Sequence, residues 1–182
     1  MKAALLVLAL SSAAIAAPFK LTSPDFKDSG ALKDKNSFNA FGCTGDNESP
    51  QLDWANPPEG TKSFAIMVHD PDAPTGGSGF WHWVVYNISA ETKSLPAGAG
   101  KADGKALPKG AVQGNTDFGA PGYGGPCPPP GSPHHYNFTI YALKVDRLDL
   151  PMPNPTAAIV GFVVNANALA KAKLTGTYAR KK

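Results

Sequence analysis

The sequence has 182 residues, with 17 Lys and Arg against 14 Asp and Glu and a formal charge of +3. That excess is small and scattered along the chain, so neither nucleic acid nor an anionic membrane surface is an expected partner. Nineteen Gly and 18 Pro describe a chain broken often by turns and long connections.

Lys2 precedes an apolar run over residues 3–10, and small residues follow up to Ala14-Ile15-Ala16. This is the pattern of a secretory signal peptide, with cleavage expected after Ala16. The run is too short to span a bilayer, which takes about 20 apolar residues, and no later segment approaches that length. Residues 1–16 are therefore expected to be removed and residues 17–182 to form one domain, periplasmic or secreted. Its size, about 166 residues, is usual for a single domain with its own core.

Period-2 patterning dominates the chain beyond residue 16. Residues 63–69 and 81–88 read as largely buried strands, and 136–143 shows the clearest alternation. Shorter strand candidates are 19–23, 52–54 and 174–178. One helix is expected near the C-terminus: Asn154 suits a cap and Pro155 the first turn. Ala158, Phe162, Ala166 and Leu169 recur at helical spacing, and the pattern closes near Lys173, before Gly176. A shorter helix over residues 155–158 is the alternative. The fold class is mainly β.

Cys43 and Cys127 are the two cysteines. An isolated pair in an oxidising compartment points to a disulfide, closing a loop of about 84 residues; two buried thiols are the alternative. Neither has the short Cys or His spacing of a zinc site, so no metal and no cofactor is expected.

Three stretches concentrate the reactive groups: His69-Asp70-Pro71-Asp72-Ala73-Pro74, Trp81-His82-Trp83, and Gly124-Gly125-Pro126-Cys127-Pro128-Pro129 with His134-His135-Tyr136. All four histidines fall in or beside them. The loop 119–133 is rich in Gly and Pro, yet it holds a cysteine and leads into the strongest strand, so it reads as ordered and site-bearing. Imidazoles and the backbone N–H groups of Gly124-Gly125 are donors suited to a phosphate or carboxylate, and a nearby Asp orients an imidazole. His69 reads as a structural strand histidine, and Trp54, Trp81 and Trp83 as core or wall. Asn47, Asn87 and Asn137 fit the glycosylation pattern, the last two on expected core strands. No Gly-x-Ser-x-Gly elbow is present.

These motifs, together with Phe41-Gly42-Cys43-Thr44, Ser49-Pro50-Gln51-Leu52-Asp53-Trp54 and Tyr141-Ala142-Leu143, occur in an order that resembles the phosphatidylethanolamine-binding protein (Raf kinase inhibitor-like) family, bacterial periplasmic branch. The likeness runs over essentially the whole chain beyond residue 16. It implies a two-sheet antiparallel β domain with a C-terminal α-helix. It also implies a ligand pocket at Asp70, His82, Gly125, Pro126, His134 and Tyr136, with Asp72 and Pro74 shaping the wall. His82 and His134 would contact the anion, Asp70 would orient one ring, and Gly125 would give backbone access. The family commonly has Arg where His135 stands, so a permanent cation is missing here. The function implied is an exported binding protein for small anionic ligands, a phospholipid head group being one source of them. The alternatives are an interaction protein that inhibits a kinase or protease, and a histidine- or metal-assisted hydrolase.

Overall fold

The computed structural model describes residues 17–150 and 152–180; the expected signal peptide, residues 1–16, lies outside them. Nine strands and one α-helix occur in the order β1 (Lys20–Thr22), β2 (Gly30–Ala31), β3 (Leu52–Ala55), β4 (Ser63–Asp70), β5 (Phe80–Ser89), β6 (Ser94–Leu95), β7 (Val112–Gln113), β8 (His134–Leu143), α1 (Ala157–Asn167) and β9 (Ala168–Tyr178). They form a small sheet, β1-β3-β6, and a large one, β2-β9-β8-β4-β5-β7. The pairings are antiparallel except β2 with β9, which is parallel.

The large sheet is buried on both faces, and alternation along its strands sorts the core into two layers. Phe64, Ile66 and Val68 of β4 join Val85 of β5 and Phe138 and Ile140 of β8 against Leu52 and Trp54 of the small sheet. Ala65 and Met67 of β4 join Val84, Tyr86, Tyr141 and Leu143 against Val160 and Val164 of α1. The near-continuous apolar run of β4 results from this double burial. Among the described residues no helix is long and apolar enough to cross a membrane.

The helix departs from the sequence expectation at both ends and in its facing. It is capped at Thr156 rather than Asn154, and it stops at Asn167 instead of running to the vicinity of Lys173. From Ala168 the chain is extended and pairs with β8 down to Tyr178, where the sequence indicates only a five-residue strand. Ladder hydrogen bonds with a buried central strand outweigh the helix preference of the alanines, because propensity is a weak term against tertiary pairing. The buried stripe of α1 is Ala157, Val160 and Val164. The expected stripe of Ala158, Phe162 and Ala166 faces outward, with Phe162 74% exposed. Two helical stripes lie one to two residues apart, and only the position of the sheet chooses between them.

This facing gives a direct test. Phe162→Ser is expected to leave stability within about 0.5 kcal/mol of the parent, whereas Val164→Ala, which opens space in the layer between α1 and the sheet, is expected to cost about 2 kcal/mol. Urea unfolding of the two variants measures the difference, and the opposite order would contradict the assigned face.

Candidate functional site

In the large sheet β4 lies between β8 and β5 and runs antiparallel to both. The end of β4 therefore sits beside the starts of its two neighbours. That topology brings Asp70, His82 and His134 to one edge of the sheet, although they are far apart in sequence.

His82 owes its direction to an irregularity. Val68 pairs with Trp83 and His69 with Trp81, so His82 is the extra residue on β5. Such a bulge re-aims a side chain out of strict alternation. Its backbone carbonyl accepts the Gly124 N–H at 2.8 Å, and its Nδ1–H donates to the Gly124 carbonyl at 2.6 Å. The ring is enclosed by aromatic neighbours: Tyr136 at 5.1 Å, Phe80 at 5.3 Å and Phe118 at 5.4 Å between centroids, all edge-to-face. Burial pushes the His82 imidazole down to about 4, outweighing the Gly124 bond and the charge of Asp70, which favour protonation. His82 is thus neutral at physiological pH. With Nδ1 carrying the proton, its Nε2 presents a lone pair, an acceptor and not the donor expected from the sequence.

Asp70 is 3% exposed. One oxygen accepts from Nδ1 of His134 at 2.8 Å, and the other accepts the Asp72 N–H at 2.9 Å. The bond fixes the His134 ring, leaving Nε2 to face outward from the pair. Tyr136, on the same face of β8, has a buried hydroxyl with no hydrogen-bond partner among the described residues. Burial, reinforced by the Asp70 charge, pushes its phenol well above the ordinary range, so it stays a neutral O–H. An unpaired buried hydroxyl costs free energy that a ligand can recover.

These groups line a hollow of about 190 Å³. Its polar part is Asp70, His82, His134 and the Tyr136 end; Phe41, Phe80 and Phe118 form an aromatic wall, and Pro74, Pro128 and Pro129 the rim. The volume equals that of about six waters, small for a ligand pocket, which suits a compact group and not an acyl chain. The Cys43–Cys127 disulfide, spanning 84 residues of sequence, joins the loop bearing Phe41 to the proline loop. A larger open groove of about 790 Å³ lies on the other side of Phe118. Of its two carboxylates, Asp46 and Glu48, the latter is bonded to Lys35 at 2.8 Å, and the groove gathers no comparable set of convergent groups.

Five residues singled out from the sequence thus meet at the hollow: Asp70, Pro74, His82, His134 and Tyr136. Asp72, Gly125 and Pro126 stand behind or beside it. Asp72 bonds the His135 ring and backbone N–H, both at 2.7 Å, and the His135 ring bond holds its carboxyl below the usual range. The Gly125 N–H donates to Oδ1 of Asn47 at 2.7 Å, and that of Gly124 is taken by His82, so neither amide is open to an anion. Gly125 is required for close approach: a Cβ there would collide with the Asn36 carbonyl and the Ser37 backbone. The Pro126 carbonyl accepts from Phe38 N–H at 3.0 Å. His69 points to the opposite face, tilted against Trp81 at 4.3 Å and bonded to the Ser78 carbonyl at 3.0 Å.

Sequence reasoning misses Phe80, Phe118 and Asn47 as parts of the site. The phenylalanines carry no local signal, being single aromatics in a strand start and a Gly/Pro loop. Asn47 is marked only by a glycosylation pattern, yet its amide clamps the loop, donating to the Tyr123 carbonyl at 2.9 Å as well as accepting from Gly125. Asn87 and Asn137 likewise spend their amides internally, on Leu148 and Thr175.

The buried neutral imidazole links stability to pH. The folded-state value of His82 lies below that of the unfolded chain, so the unfolded state binds more protons between the two. Stability is full above about pH 6.5 and falls as pH drops toward 4. The parent is expected to lose on the order of 3 kcal/mol more than His82→Gln over that interval. Urea unfolding at the two pH values reads the difference directly; equal losses would mean that His82 is not buried neutral.

The family model described as phosphatidylethanolamine-binding protein matches residues 22–179. The chain is 50% identical over 170 residues to YbcL of Escherichia coli (strain K12), covering 93% of this chain and 92% of that protein. The YbcL crystal structure superposes with a TM-score of 0.87, over 91% of this chain and 100% of that one. The structure of CT736 from Chlamydia trachomatis, 32% identical, gives 0.75 over 90% and 98%. The putative lipoprotein LppC of Mycobacterium tuberculosis (H37Rv) is 36% identical over 93% of this chain and 77% of its own length. With the family model matching residues 22–179 and a relative 50% identical over nearly the whole of both chains, the chain belongs to the phosphatidylethanolamine-binding protein family.

Proposed function

We propose that this protein is an exported binding protein for small oxyanions, phosphate- or carboxylate-bearing, with a phospholipid head group as one source of that chemistry. The observation that carries the reading is the convergence of the Asp70–His134 pair and the unpaired Tyr136 hydroxyl on one aromatic-walled hollow. The hydroxyl is a fixed donor. His134, held through Nδ1, turns Nε2 toward a ligand, and when protonated it donates a charge-assisted bond. The aromatic wall keeps the surrounding dielectric low, which strengthens each such bond. The small volume favours the anionic group itself over a whole lipid.

Export is supported by three features: the leader pattern of residues 1–16, the Cys43–Cys127 disulfide, which persists in oxidising compartments, and similarity to a relative named as a lipoprotein. On this reading residues 17–182 form the mature domain.

Titration calorimetry with inorganic phosphate, methyl phosphate and acetate across about pH 5–8 tests the proposal. Millimolar or tighter binding is expected, with a loss of about tenfold or more in the His134→Ala, Tyr136→Phe double variant, since hydrogen bonds to charged groups contribute about 1.5–3 kcal/mol each. Absence of binding by the parent, or equal binding by the double variant, would overturn it. Turnover of a phosphoester panel would replace binding with hydrolysis as the activity.

A further inference from the structure

The segment between Phe38 and Gly45 is built as a flap with one covalent attachment at its tip. Its base is closed: the Gly45 N–H donates to the Phe38 carbonyl and the Phe38 N–H to the Pro126 carbonyl, at 3.0 Å each. Its tip is open. Residues 39–42 and 44 are exposed and Cys43 is half-buried. Among the described residues no backbone hydrogen bond joins the tip to another element. Three contacts hold it down. They are the disulfide to Cys127, a bond from Nη1 of Arg180 to the Phe41 carbonyl at 3.3 Å, and the Phe41 ring, 5.4 Å from Phe38 and 6.1 Å from Phe118 between centroids.

Phe41 resists this position. Its φ is +55°, in the left-handed region, which a bulky residue adopts only where the surroundings impose it. The ring gains little in return, being 74% exposed. A strained residue is thus held over the mouth of the hollow, and it relaxes once the tip is freed. The bond that holds it is also placed for cutting. Nη1 of Arg180 lies 3.9 Å from Sγ of Cys127, and a neighbouring guanidinium favours thiolate over thiol.

We propose that Cys43–Cys127 is a reducible latch: a dithiol reductant of the Cys-x-x-Cys class opens it, the tip carrying Phe41 swings away about its closed base, and the mouth of the hollow widens. One thiolate of the reductant bonds to Cys43 Sγ on the exposed tip. The Cys43–Cys127 bond breaks, and its electron pair passes to Cys127 Sγ, where Arg180 stabilises the departing thiolate. The reductant's second thiolate then attacks its own sulfur in the mixed disulfide and releases Cys43. The reductant leaves as a disulfide, and its two protons pass to the two cysteines. The Gly/Pro loop stays in place, since its bonds to His82 and Asn47 do not involve the tip.

The latch does not depend on what the hollow binds, so a reagent tests it without a ligand. Diethyl pyrocarbonate acylates an accessible imidazole nitrogen, and the His134 side chain is 13% exposed. Labelling followed by mass spectrometry compares the oxidised protein with the reduced, thiol-capped protein and with the Cys43→Ser, Cys127→Ser variant. His134 is expected to react several-fold faster once the bond is absent. His135, 53% exposed outside the hollow, and His69 on the opposite face are expected to keep their rates. An unchanged His134 would mean that the disulfide only braces the fold, and a rise at all three would mean that the chain unfolds without it; either overturns the latch. The electron path is read from the rate of reduction by dithiothreitol. Arg180→Met is expected to slow it several-fold, and Arg180→Lys, which keeps the charge, to restore most of the rate. A rate in Arg180→Met equal to or above the parent's would overturn Cys127 as the leaving group.

Discussion

Gly124 and His82 exchange two hydrogen bonds. The Gly124 N–H donates to the backbone carbonyl of His82, and the Gly124 carbonyl accepts from the ring. The first is made at the bulge on β5. The second fixes the imidazole in one tautomer and one orientation. Through this pair of bonds the Gly/Pro-rich loop is tied to the sheet, and Phe118 is carried across the ring. Asn47 completes the attachment by bonding the chain on either side, at Tyr123 and Gly125. The loop is therefore a wall and not a flexible cover, and the disulfide holds its far end against the Phe41 segment.

The electrostatics of the hollow derive from that attachment. Aromatic rings exclude water on one side and the core of the sheet on the other, so ionisation is discouraged wherever no partner offsets it. His82 and Tyr136 respond by staying neutral. Asp70 tolerates burial because His134 and the Asp72 amide satisfy its two oxygens. Just outside, Asp72 and His135 form a second, more exposed carboxylate–imidazole pair on the neighbouring positions. The inner pair lines the hollow; the outer pair braces the turn that carries Pro74. The position where the family commonly has Arg thus holds a group on β8 bound to the turn after β4.

Much of the fold is legible in the sequence. The three long central strands show as alternating or uniformly apolar runs, since burial on one or two faces writes itself into residue choice. The end of α1 is not, because Ala-rich sequence is compatible with both a helix and a strand whose alternate residues are lysines. Lys171 and Lys173, on one face of β9, are the trace of its alternation. Phe162 misleads for a different reason: a large apolar residue marks an interior only on average, and here it lies outside.

The sequence by itself determined which residues are reactive and that they lie in three separated clusters, because residue chemistry is local. It also determined the strand-rich class and the cysteine pair. What only the tertiary structure decided is which of those groups meet and in what role. Asp70, His82 and His134 share one hollow because β4 lies antiparallel between β5 and β8, a pairing that no local pattern encodes. His82 spends its Nδ1–H on the loop and leaves a lone pair on Nε2, and the Gly125 amide is bonded to Asn47. Both outcomes depend on partners about 40 or more residues away, Gly124 for the ring and Asn47 for the amide. A hydrogen-bonding group is defined by its complement, and the complement is supplied only when the chain folds.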